Sequence, residues 1–189
     1  MNELIKDLGL LINATLIATP PLLLAALGSC FSERSGVVNI GIEGMMTIGA
    51  FTGAVMGLTT GNGWIAFFCA GLAGALFGLI HAFACISCHA DQTIAGTAIN
   101  FLGPGLALFL CKAMYSNSSD TPAMDPSCKL PKLFEGVFPT GSFWNNVLNV
   151  YAVAYLVFVL AFVCWFVFYK TRFLSLIHIS EPTRRRGIS

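Results

Sequence analysis

Charge is what this sequence has least of. Of its 189 residues only 10% are charged, against about 25% in an ordinary soluble domain. Ten Lys and Arg against nine Asp and Glu leave a net charge of +1. That balance provides no basic field for nucleic acid. Nucleotide-cradling sequence is missing too. No Lys follows a Gly, so there is no G-x-x-x-x-G-K-[ST] loop, and any ATP use must belong to a partner. There is no G-x-S-x-G, no H-E-x-x-H and no convincing triad, so no catalytic residue is assigned. The seven Cys are odd in number and lie mostly in apolar runs, which argues against a secreted disulfide framework. Cys128 alone sits in a polar stretch, without an obvious mate. The segment from Met1 to Asp7 is mixed in charge and is not followed by a small-residue cleavage site, so no removable signal peptide is expected.

Apolar surface fills the space that charge leaves. The chain is 56% hydrophobic with 16 Phe, and its mean hydropathy is +0.78. A soluble fold cannot hide this much apolar surface, whereas a lipid bilayer solvates it. Crossing a hydrocarbon core of about 30 Å takes roughly 20 apolar residues at about 1.5 Å each. Five runs are long enough: Leu8 to Leu27, Val37 to Leu58, Trp64 to Ile86, Thr93 to Cys111 and Val147 to Tyr169. Backbone facing lipid must satisfy its own hydrogen bonds, so each run is expected to be helical. The fold class is therefore all-α, a polytopic transmembrane helix bundle of about five spans. The long connection from Lys112 to about Asn146 reads as an aqueous loop with room for a short surface helix. Lys and Arg divide almost evenly between the two sides, so the positive-inside rule does not set the orientation.

Small and polar residues inside the runs carry the remaining information. Gly49, Gly53 and Gly57 recur every four residues, and Gly74 and Gly78 do so on the next run. Such faces let helix backbones approach closely in lipid, so these five glycines are expected to pack the helices against each other or against a second subunit. Pro20-Pro21 and Gly103-Pro104-Gly105 interrupt the first and fourth runs. Each proline removes a backbone donor and predicts a kink or a break. In the second run Asn39 and Glu43 are one turn apart, and Gly41 and Gly44 flank the carboxylate, where the backbone can unwind. A carboxylate within a span costs about 2.5–3.5 kcal/mol on insertion scales. Asn39 and Glu43 are therefore candidates for lining or gating a pathway; the bland alternative is a solvated Glu43 near the interface, paired with Arg34. Asn100, in the middle of the fourth run, is either a third pathway candidate or an interhelical hydrogen-bonding group. Asp91 or Thr93 is placed to cap the fourth helix. His81, Cys85, Cys88 and His89 share one helical face. His81 and His89 would stand about 12 Å apart along the axis, too far to share one ion, so core packing is preferred and no metal or cofactor is assigned.

The run from Ala18-Thr19-Pro20-Pro21 through Glu33-Arg34-Ser35-Gly36-Val37-Val38-Asn39-Ile40-Gly41-Ile42-Glu43-Gly44-Met45-Met46 resembles the permease subunits of ABC importers for nucleosides and simple sugars, relatives of the ribose and branched-chain amino acid permeases. The likeness continues through Gly78-Leu79-Ile80-His81-Ala82-Phe83 and Ala90-Asp91-Gln92-Thr93-Ile94-Ala95-Gly96, and resumes at Tyr169-Lys170-Thr171-Arg172-Phe173. It implies a multi-pass permease of the bacterial plasma membrane, with a second permease subunit, a cytosolic ATP-binding subunit and an extracytoplasmic substrate-binding lipoprotein as partners. Asn39 and Glu43 match its signature positions. Residues 1–173 then form the N-terminal part of a permease domain. From Leu174 to Ser189 the sequence departs from the family and resembles translated sequencing adaptor, so this stretch is expected to be a non-native tail. Two rivals predict different chemistry: an ion-coupled secondary transporter using Glu43, and a membrane thiol enzyme using Cys85 and Cys88.

Overall fold

The computed structural model describes residues 2–125, 129–134 and 143–170. They form α1 (Asn2–Arg34), α2 (Ile42–Thr60), α3 (Gly63–Ala82) with a π-helical turn at Phe83–Ser87, α4 (Gln92–Met114), α5 (Phe143–Leu148) and α6 (Ala152–Lys170). Among the described residues five helical segments are long and apolar enough to cross a membrane: Asp7–Arg34, Ile42–Thr60, Gly63–Ser87, Gln92–Met114 and Ala152–Lys170. The fold is all-α, as the apolar runs require. Cys128 and the tail from residue 174 to residue 189 lie outside the described residues.

Two of the expected spans begin late. The run from Val37 is non-helical over residues 37–39 and turns at residues 40–41 before α2 starts. The run from Val147 is divided by non-helical backbone between α5 and α6. The prolines, in contrast, break nothing. Helix α1 runs through Pro20 and Pro21, and α4 runs through Pro104.

The contacts divide the chain into two compact units, Met1–Gly36 with Leu133–Ser189, and Val37–Lys132. In the first, α1 packs on α5 and α6. The apolar stripe of α6 supplies its core, with Ala154, Val157 and Cys164 buried. Parallel α1 and α6 are stitched along their length. Asn13 Nδ2 donates to the Asn149 carbonyl at 3.4 Å, and Phe31 packs on Phe168 with ring centroids 4.6 Å apart. The Arg34 guanidinium lies over the Phe168 ring, 5.1 Å from its centroid. At the divided span the Tyr155 hydroxyl donates to the Leu148 carbonyl at 2.8 Å, closing the end of α5.

In the second unit, α2 packs against antiparallel α3 and parallel α4. Small residues set the first contact. A Cβ on Gly49 would stand 3.1 Å from the Ala70 carbonyl oxygen, and one on Gly53 would stand 3.1 Å from the Ala70 methyl. Gly57 faces Ala66 and Met124, and Gly74 faces the Met45 carbonyl. Gly78 meets nothing within 4 Å, so it takes no part in this packing. The contact with α4 is tighter and uses glycines outside that spacing pattern. A Cβ on Gly44 would collide with the Ile99 carbonyl, and one on Gly103 would collide with the Gly44 carbonyl. Two helix backbones cross here with no room for a side chain between them.

The crossing predicts a sharp contrast between neighbouring glycines. Gly44→Ala and Gly103→Ala should each destabilise the protein by about 1–3 kcal/mol, since backbone cannot yield as a flexible side chain can. Gly105→Ala, with nothing within 4 Å, should be neutral. Thermal unfolding midpoints in detergent micelles check this, and equal midpoints for the three variants would count against the close crossing.

Candidate functional site

The non-helical stretch before α2 is the part of the second unit where backbone polar groups most need outside partners. It follows Gly36, whose φ of +86° lets the chain turn away after α1. Three side chains from two other helices satisfy it. Gln92 Oε1 accepts from the Val38 N–H at 2.8 Å. The Val38 carbonyl lies 3.4 Å from His81 Nε2, a contact in which the imidazole is the donor. Asn100 closes the arrangement from both sides, for its Nδ2 donates to the Ile40 carbonyl at 2.9 Å. Its Oδ1 accepts from the Gly44 N–H at 2.8 Å, one of the donors that every helix N-terminus leaves without an intrahelical partner. The strap over residues 38–41 is thus held by α3 and α4 in place of a helical ladder.

Each side chain sits where local sequence puts it. Asp91 caps α4, its Oδ1 accepting from the N–H groups of Thr93 at 2.8 Å and Ile94 at 3.0 Å, which places Gln92 in the first turn beside the strap. His81 is only 3% exposed, and Cys85 Sγ lies 3.7 Å from its Nε2. Gly41 and Gly96 let the strap lie on α4, since a Cβ on Gly96 would stand 3.0 Å from the Gly41 nitrogen.

The three polar candidates take different positions around this strap. Asn100 binds backbone on both sides of the α2 N-terminus. Asn39 does not share a helical face with Glu43, because it lies in the non-helical stretch and Glu43 lies in the first turn of α2. That placement corrects the one-turn spacing expected from the sequence, and its cause is the helix starting at Ile42. Asn39 Nδ2 donates to Met45 Sδ at 3.6 Å, while its Oδ1 is buried without a hydrogen-bond partner among the described residues. Glu43 is exposed. The macrodipole at the start of α2 favours a carboxylate there. Sequence reasoning missed His81 and Gln92 as strap partners. Their signal was weak: a histidine in an apolar run, and an amide directly after a capping aspartate.

Beyond the glycine crossing, α2 and α4 line an open groove of about 490 Å³. Thr47, Ala50, Phe51 and Ala54 line it from α2, and Pro104, Ala107, Leu108 and Cys111 line it from α4. Ser119, Asp120 and Thr121 add polar atoms. Among the described residues no three His, Cys, Asp or Glu side chains come together as a metal site.

Membrane-length helices crossing through glycine, with polar side chains holding a non-helical strap between them, define a polytopic α-helical membrane protein. The chain belongs to the family of branched-chain amino acid transport system permease components, which matches residues 11–173. It is 43% identical over 180 residues to the guanosine ABC transporter permease protein NupQ of Bacillus subtilis, an alignment covering 90% of this chain and 55% of that protein. It is 32% identical over 177 residues to the nucleoside ABC transporter permease protein NupC of Lactococcus lactis, again covering 90% of this chain and 55% of the relative. The chain therefore spans about half the length of these curated relatives. No solved structure matches it significantly.

Removing the Asn100 amide should loosen the strap selectively. Asn100→Ala leaves the Gly44 N–H, at a buried residue, without its partner, at about 1–3 kcal/mol, and frees the more exposed Ile40 carbonyl at a smaller cost. Hydrogen exchange should accelerate over residues 38–45 while the middle of α3 keeps its protection. Unchanged exchange at Gly44 would show that Asn100 does not hold the α2 N-terminus.

Proposed function

We propose that this chain belongs to the membrane-spanning permease of an ABC importer in the bacterial plasma membrane, and that its solute is a nucleoside. The observation that carries the reading is the family match over residues 11–173, joined to 43% identity with a guanosine permease across 90% of the chain. Its role is transport rather than catalysis. ATP hydrolysis falls to a cytosolic ATP-binding subunit, solute capture to an extracytoplasmic substrate-binding lipoprotein, and the remaining wall of the pathway to a second permease subunit. Solute binding can shift an inward–outward equilibrium only by its differential affinity for the two states, so the ATPase supplies the rest.

Asn39, Glu43 and Asn100 are assigned to the pathway or its gate. The buried, unpartnered Asn39 Oδ1 supports this assignment, because a buried acceptor without a donor calls for a further partner. An exposed carboxylate at Glu43 within an apolar span supports it as well, because intramembrane ionisable groups face cavities or partners rather than lipid. Asn100 contributes by fixing where α2 begins, and hence where Glu43 stands.

Reconstitution of the native full-length subunit with its partners in proteoliposomes tests the reading. Guanosine uptake should require ATP, stop when the P-loop lysine of the ATP-binding subunit is replaced, and survive collapse of the proton gradient. Glu43→Gln should lower uptake several-fold with ATP binding unaffected. Uptake that persists without the ATPase and collapses with the proton gradient would instead make Glu43 the carrier of a coupled ion.

A further inference from the structure

We infer that the groove between α2 and α4 is a solute-contact site that recognises a flat heterocycle joined to a hydroxylated group, the chemistry of a nucleoside, in preference to a simple sugar. This inference rests on the importer reading. Its starting point is a matched pair of helical stripes. On α2, Glu43, Thr47, Phe51 and Ala54 succeed one another at spacings of three and four, and on α4 so do Asn100, Pro104, Leu108 and Cys111. The two helices run parallel, and the glycine crossing presses them together near Gly44 and Gly103. The stripes flank the space beyond. Glu43 stands one turn before the groove on the α2 stripe, and Asp120 stands in its wall.

The chemistry of the lining selects the ligand. A volume of about 490 Å³ falls within the roughly 300–1,000 Å³ of small-molecule sites. The Phe51 ring, with Pro104 and Leu108 across from it on α4, offers a surface against which an aromatic heterocycle can stack. Hydroxyl recognition comes from other groups. The Thr47 hydroxyl donates to the Glu43 carbonyl at 2.9 Å, which leaves its oxygen lone pairs as acceptors. Asp120 is held in place by its backbone, for its N–H donates to Ser118 Oγ at 3.2 Å and its carbonyl accepts from the same hydroxyl at 2.9 Å. Its carboxylate is a strong acceptor for vicinal hydroxyls. A ligand polar on every side, such as a hexose, would leave much of its surface unpaired against the apolar walls.

The test uses the native full-length subunit assembled with its partners in proteoliposomes. An Ala50→Cys variant places a thiol in the groove, and modification at residue 50 is read by peptide mass spectrometry. A charged methanethiosulfonate should modify it. Guanosine at ten times its Kd should slow the reaction about tenfold, as mass action leaves about a tenth of sites free, whereas glucose at the same concentration should not. Phe51→Ala should raise KM for guanosine uptake at least about fivefold, the loss expected for a stacking contact, with Phe51→Trp restoring it. Reaction only with a lipophilic maleimide would put the groove on lipid, and no reaction with either reagent would put another subunit over it. Either result overturns the inference, as does equal protection by glucose. Intact guanosine uptake together with an unprotected residue 50 refutes the groove alone. A wild-type assembly that takes up no nucleoside refutes the importer reading and the inference together.

Discussion

Much of the second unit depends on the place where α2 and α4 touch backbone to backbone. Gly44 and Gly103 leave no room for a side chain between the helices. In lipid, where tails are as apolar as leucine, close approach through small residues takes the place of a hydrophobic drive between helices. The crossing fixes three things at once. It sets the level at which α2 can start, it brings Asn100 within reach of the exposed N–H of Gly44, and it leaves the groove on its far side.

A strap without a helical ladder is expensive wherever water does not reach it, because each unpaired backbone group costs several kcal/mol there. This chain meets that demand with an imidazole and two carboxamides, His81, Gln92 and Asn100. The groups that a composition-based reading would single out as chemistry are therefore divided between two roles. His81, Gln92 and Asn100 hold backbone, whereas Glu43, in the first turn of α2, is exposed. The thiol at Cys85 lies against the same imidazole, in a π-helical turn where the helix widens before α4. That arrangement is one of packing at the end of α3.

How far the sequence could be read varies along the chain. Glycine spacing was legible for the α2–α3 contact, because a four-residue repeat lies on one helical face. Gly78 has no neighbour of this chain within 4 Å, so the spacing alone does not say what would pack there. The two prolines in α1 and the one in α4 looked like interruptions, yet the helices continue through them, since neighbouring turns and packing can absorb a missing donor. The real breaks fall at residues 37–41, where Asn39 and the glycine at Gly41 had marked a place the backbone can unwind, and between α5 and α6, beside Asn149.

By itself the sequence determined the solvent, the secondary structure and the family. Twenty-residue apolar runs with little charge can satisfy their backbone in a bilayer only as helices. Asp91 was equally readable as a cap, because capping is a matter of two or three neighbouring residues. Only the tertiary structure decided that α2 begins at Ile42, that Asn39 and Glu43 part company, and that Asn100 serves both ends of one strap. Those outcomes rest on contacts between residues more than fifty positions apart in sequence. An apolar run carries no periodic signal of which face will meet a neighbour, so the pairing of helices had to be seen before the roles of their few polar side chains could be assigned.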